Sequence, residues 1–301
     1  MRYIKLLLLS VFFMIILWGA PTYVSVAGTS YAEVVKPPDA DGFLGDGSYR
    51  ADEQLEALKK IVGLNVKNAK KIPVLLYHHL EYGAEIPESE KDSQAVISVE
   101  RFTQHMKLLH NNGFYAASAI ELEMYMNGEM ILPERTVVIT FDDGYRSNAR
   151  YAYPVLKKYG FKASIFIITR LIGEKGDMEF LTWDDMRACS DVFSYHSHTH
   201  NMHKLRDDGL TELSAGEYEA VKDDLKQSSE LLNTNYFAYP HGQVKRHVKN
   251  ALRESGYRMA FGLKKAYADS GSDMLDMPRF TITSSMKLDA FEAICMGKYA
   301  G

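Results

Sequence analysis

Seven short apolar runs, all from Pro73 onward, constrain this chain more than anything else in it. They are "PVLLY" (73–77), "TVVITF" (136–141), "ASIFII" (163–168), "VFSYH" (192–196), "YFAY" (236–239), "RMAFG" (258–262) and "FTIT" (280–283). Most are apolar almost throughout, where a half-buried strand would alternate with polar residues. Such runs are strands buried on both faces, the mark of a mostly parallel sheet. The segments between them carry helical spacing. Phe102, Met106 and Leu109 fall on one face of "SVERFTQHMKLLHNNGF", which Gly113 stops. "NARYAYPVLKKYGF" ends at Gly160, "HVKNALRESGY" ends at Gly256, and Val221, Leu225 and Leu232 share a face of "SAGEYEAVKDDLKQSSELLN". Strand and helix in alternation predict an α/β chain, a distorted (β/α)7 TIM-like barrel. In such barrels chemistry sits at the C-terminal ends of the strands.

The N-terminal segment is of another kind. Arg2 and Lys5 precede a continuous apolar stretch, Leu6 to Trp18, and small residues follow. Residues 1–32 therefore read as a secretory signal peptide, and the remainder as secreted or extracytoplasmic and surface-associated. An uncleaved leader would instead anchor the N-terminus in a membrane, and the sequence leaves both open. Residues 33–71 read as a Pro/Gly/Asp-rich linker with a helix over 51–62. Residues 72–301 read as one catalytic domain. A net charge of -4 and the lack of a basic stripe exclude a nucleic-acid partner. Two cysteines, Cys189 and Cys295, make no disulfide framework or metal motif, and whether they pair stays open.

The strand ends gather the reactive side chains. "TVVITF" runs into Asp142-Asp143. "VFSYH" opens "HSHTHNMH" (196–203), with four histidines. His78-His79 follow the first strand and Pro240-His241-Gly242 the fifth. Alone, "DDG" is ordinary turn chemistry, and a histidine tract can bind metal adventitiously. Placed together at strand ends they point to a catalytic site. Two imidazoles and one carboxylate form an open site for a divalent ion such as zinc. One aspartate then binds the ion and its neighbour takes a proton from water, since adjacent side chains on an extended segment point different ways.

On these residues the chain resembles the polysaccharide deacetylases of carbohydrate esterase family 4, over residues 72–295. "TFDDGY" (140–145) is the most specific element. The resemblance implies Asp142 as catalytic base, Asp143 as metal ligand and Tyr145 as a substrate-side residue. A branch similar to the exported poly-N-acetylglucosamine deacetylases has "SHT" followed by a later histidine. "SHTHNMH" with "KL" after it fits that branch and implies His198 and His203 as the remaining ligands. The spacing H-[ST]-x-x-H also fits His196 and His200, which stand as the alternative pair. "PVLLYHHL" is similar to the same branch and implies His78 as general acid, with His79 packing beside the barrel mouth. No L-x-H motif follows residue 260 to supply another acid.

Two departures qualify the resemblance. The family's R-x-P-[FY] motif reads "FAYPHG", with Ala238 in place of the arginine and His241 in place of the aromatic residue. The His241 backbone N–H is expected at the oxyanion, and Arg279 of "MPRFTI" is expected to supply the missing charge beside Asp142. The Asp-Trp motif is not evident, and Trp183 of "LTWDDM" reads as helix-start packing. The function implied is zinc-dependent removal of N-acetyl groups from an N-acetylglucosamine-containing envelope or extracellular polysaccharide, releasing acetate. The rival readings are a metal-dependent esterase or amidase on another acylated carbohydrate, and a non-catalytic carbohydrate-binding barrel.

Overall fold

The computed structural model describes residues 67–299, apart from 91, 92 and 177. The expected leader and the helix over 51–62 lie outside the described residues. Two compact units divide the chain. One contains, among described residues, 67–69 and 124–134; the other contains Lys70–Glu123 and everything from Arg135 on. In the first, Ala69 donates its amide to the Leu132 carbonyl at 2.8 Å, and the Tyr125 hydroxyl donates to the Ala69 carbonyl at 2.6 Å.

The second unit carries the sheet. Its strands are β1 (Val74–Tyr77), β2 (His79–Glu81), β3 (Val96–Ser98), β4 (Tyr115–Ala117), β5 (Thr136–Phe141), β6 (Ala163–Ile167), β7 (Phe193–Ser197), β8 (Tyr236–Ala238), β9 (Met259–Phe261) and β10 (Phe280–Thr281). Seven of them run in the order β10-β1-β5-β6-β7-β8-β9, and every ladder is parallel. These are the seven runs read from the sequence. The sheet curls into a half-barrel, the distorted (β/α)7 arrangement. β9 and β10 share no ladder; instead Met277, just before β10, accepts from the Gly262 amide and donates its own amide to the Ala260 carbonyl. Three further strands, β2, β3 and β4, are not among the runs read from the sequence. β4 pairs with the first half of β5, and β2 and β3 form a separate parallel pair.

The central strands are buried along their whole length, which is why they carry no polar alternation. The main helices are α1 (Val99–Asn111), α2 (Ala119–Met126), α3 (Tyr153–Tyr159), α4 (Trp183–Ala188), α5 (Glu212–Ala215), α6 (Tyr218–Leu232), α7 (Arg246–Glu254) and α8 (Leu288–Cys295). The stretch read as one helix before Gly160 divides in two. A π-turn spans Asn148–Ala152 and α3 follows it. Pro154 has no N–H to offer the Arg150 carbonyl, so the regular ladder is interrupted there. Gly160 closes α3 at φ 70°, a left-handed conformation that favours glycine. Trp183 does begin α4, behind the Thr182–Asp185 capping box. At 42% exposure, however, it is not packed into the core. Cys189 and Cys295 are both buried and both free thiols.

Two buried histidines give the fold a pH dependence. His105 stacks on Phe291 with ring centroids 3.9 Å apart, and its Nδ1 lies 3.2 Å from the Tyr77 hydroxyl. Burial lowers its pKa, and that of His196, to about 3. The unfolded chain protonates both near 6.5. Between those values it binds more protons than the folded protein, so stability falls as pH falls through that window. Replacing His105 by Leu should flatten the dependence of unfolding free energy on pH between 6.5 and 4 by up to about 1.4 kcal/mol per pH unit. Urea unfolding at several pH values measures the slope, and an unchanged slope counts against this account.

Candidate active site

Asp142 and Asp143 follow β5 at the C-terminal edge of the sheet. The Asp142 amide continues the ladder by donating to the Tyr77 carbonyl. The chain then turns sharply, with Asp143 at φ 71° and Gly144 at φ 84°. The expectation that two adjacent acids diverge along an extended segment is therefore corrected. They diverge because Asp143 is left-handed, a conformation that Asp tolerates better than most residues. Glycine suits position 144, where φ is one that L side chains rarely adopt and a Cβ would sit a tight 3.3 Å from the Ile167 side chain.

The two carboxylates meet different partners. Asp142 is 3% exposed and takes a bidentate pair from Arg279, Nη1 to Oδ1 at 2.7 Å and Nη2 to Oδ2 at 2.8 Å. Burial pushes the Asp142 carboxyl up, but Arg279 and then His198 outweigh it and hold the pKa below the usual value. Asp143 Oδ1 faces His198 Nε2 at 3.5 Å and His203 Nε2 at 3.2 Å. Burial opposes ionisation here too. The hydrogen bond from His203 and the nearby imidazoles win, leaving Asp143 well below the ordinary carboxylate range.

His198 follows the last residue of β7. Its Nδ1 lies 2.7 Å from the Ala238 carbonyl, an acceptor only, so Nδ1 carries the proton and donates. Nε2 is left with its lone pair toward the aspartates. Burial lowers its pKa to about 4, so the ring is neutral at pH 7, as metal ligation needs. One ligand atom each from Asp143, His198 and His203 all lie within 4.8 Å of one another. The two nitrogen–oxygen separations match the edge of a tetrahedron with bonds of about 2.0–2.1 Å. The donor set is therefore one that fits a small divalent ion.

The alternative pair does not assemble. His196 lies two residues earlier on β7, about 7 Å deeper along the strand. It is held there by Thr234 Oγ1 at 2.8 Å and Ser194 Oγ at 3.0 Å. His200 directs Nδ1 to Thr169 Oγ1 at 2.9 Å.

A pocket of about 330 Å³ opens on the cluster and includes His78, Tyr145 and His241 in its wall. The His78 Nδ1 is buried without a hydrogen-bond partner among the described residues. Its neighbour is committed elsewhere, with His79 Nδ1 2.9 Å from Ser147 Oγ. His241 stands at φ 52° in the turn after β8, its ring 4.8 Å from that of His203. Tyr145 stacks on Phe180 at 5.3 Å. Burial, and then the charge of Asp143 beside it, raises its phenol pKa. The wall also holds Gln94, Tyr239 and Leu263, none singled out in the sequence. Leu263 directly follows "RMAFG", so the strand-end rule could have found it. Gln94 sits in a loop without any pattern.

The chain is 31% identical over 231 residues to a protein of Bacillus subtilis named putative polysaccharide deacetylase YxkH, covering 76% of this chain and 78% of that one. The chain belongs to the polysaccharide deacetylase family. The family's model, Polysaccharide deacetylase, matches residues 130–260, the segment that holds both aspartates and all three candidate metal ligands. A Staphylococcus aureus poly-beta-1,6-N-acetyl-D-glucosamine N-deacetylase is 26% identical over 206 residues, covering 65% of this chain and 69% of that one. The fold is shared with the Streptococcus pyogenes deacetylase PplD solved with acetate (TM-score 0.66, 24% identity, 76% of this chain and 99% of that one). It is shared also with IcaB from Ammonifex degensii (TM-score 0.64, 24% identity, 77% and 99%).

Proposed function

We propose that this deacetylase removes N-acetyl groups from an N-acetylglucosamine polymer, releasing acetate and leaving the free amine. The observation that carries the reading is the Asp143–His198–His203 cluster with Asp142 beside it and an open pocket in front. A divalent ion on those three residues, zinc by the nitrogen-rich donor set, would polarise the acyl carbonyl and acidify a water. Asp142 takes the proton from the attacking water. Arg279 occupies both of its oxygens, but a carboxylate offers about four lone-pair sites, so capacity remains. As the C–N bond breaks, His78 gives a proton to the departing amine. The backbone N–H of His241 faces the tetrahedral oxyanion, and Tyr145 bounds the substrate side of the pocket. The substrate class is supported by the names of the relatives, which act on poly-beta-1,6-N-acetyl-D-glucosamine. Export under the direction of residues 1–32 would place the enzyme with an envelope or biofilm polymer. Among the described residues no helix is long and apolar enough to cross a membrane.

The test is acetate release from N-acetylglucosamine oligomers by the 33–301 protein. Chelation should abolish it and added zinc restore it. Release from acetyl-xylan but not from these oligomers would move the substrate to another acylated carbohydrate. Absence of both release and metal binding would favour a carbohydrate-binding barrel.

A further inference from the structure

The two histidine ligands depend on an improbable stretch of backbone. Between them Thr199 adopts φ 76°. A β-branched residue rarely takes that conformation. Thr199 is also fully buried, and its hydroxyl has no hydrogen-bond partner among the described residues. Directly after it, two consecutive amides are fixed by one side chain. Asp224 Oδ1 accepts from the His200 amide at 2.8 Å, and Oδ2 accepts from the Asn201 amide at 2.7 Å. Asp224 lies on the buried stripe of α6 with Val221, Leu225 and Ser228, where an apolar residue would be expected from helical spacing. One turn on, Ser228 Oγ donates to Ser197 Oγ at 2.8 Å, immediately before His198. Helix α6 thus grips the chain on both sides of the strained residue.

We infer that Asp224 is a positioning residue for the candidate metal site, fixing the 198–203 loop so that His198 and His203 already face Asp143 before an ion binds. The inference rests on the metal-site reading above. A carboxylate suits the task because it accepts through both oxygens, whereas an amide has one acceptor oxygen and would set its NH2 group against the other N–H. Groups that orient metal ligands from behind typically change metal affinity roughly 10–100-fold when replaced.

The experiment measures zinc affinity of the chelated protein by competition titration, with the thermal midpoint of the metal-free form alongside. Asp224→Asn should weaken zinc binding roughly 10–100-fold. A zinc affinity within twofold of wild type, with only the midpoint lowered, would overturn the inference and reduce Asp224 to a structural role. Amide hydrogen exchange on metal-free wild type gives a second test that needs no variant to fold. The amides of His200 and Asn201 should already be protected. Protection gained only on zinc addition would overturn the inference, because the loop would then be ordered by the ion. Wild-type protein that binds no divalent ion at all would instead overturn the metal-site reading itself.

Discussion

Asp142→Asn should lower kcat/KM for acetate release by about 10²–10⁴, the range typical of removing a positioned general base. The substitution keeps the shape of the side chain and keeps it beside Arg279. It removes the negative charge and the capacity to take a proton. Zinc affinity should change much less, because Asp142 is not in the three-residue cluster; its Oδ2 stands 3.9 Å from His198 Nε2. Asp143→Asn should behave in the opposite way, with metal affinity falling first and activity falling because of it. Measuring kcat/KM and zinc affinity on both variants separates the two adjacent acids. Equal loss of metal by both would mean that the division of labour between them is wrong. Activity of the Asp142 variant within tenfold of wild type would remove it as the base.

The placement of the two acids was legible in the sequence only in outline. Most of the seven strands announced themselves because strands covered on both faces are apolar at most positions. That pattern fixed where the strand ends fall, and so which polar residues lie at the mouth. It could not say that Asp143 turns left-handed, since Asp-Gly pairs accommodate several turn types. Nor could spacing choose between His196/His200 and His198/His203. The choice depends on how far along β7 each ring sits, and on Thr199 reversing the chain after His198. Asp224 was invisible for a different reason. A single acid on an amphipathic helix has no visible role until its two amide partners, more than twenty residues away, are in place.

Arg279 is the second residue whose removal should have a large effect, and the effect should appear in stability as well as in rate. It is fully buried. Two of its donors go to Asp142, Nε donates to the Gly262 carbonyl at 3.0 Å, and the guanidinium lies 5.7 and 5.9 Å from the rings of Phe166 and Phe261. Little water reaches this pair, so removing the cation leaves a nearly buried carboxylate without its main counter-charge. Breaking such a pair from one side typically destabilises by about 3–5 kcal/mol, because a buried charge is left uncompensated. The alternative open to the protein is to protonate Asp142, which spares stability but removes the base. Arg279→Ala should therefore lose stability or activity, and by linkage the balance between them should shift with pH. Urea unfolding in the presence of chelator, so that no bound ion compensates, should give a lower free energy for Arg279→Met than for the double variant Arg279→Met, Asp142→Asn. The double variant removes both charges and leaves only polar and apolar groups to pack. If the double variant were the less stable by the sum of the two single losses, the residues would be acting independently. The bidentate contact would then be incidental to the ionisation of Asp142. If Arg279→Ala kept full activity and stability, the charge missing at Ala238 would have to be supplied from elsewhere.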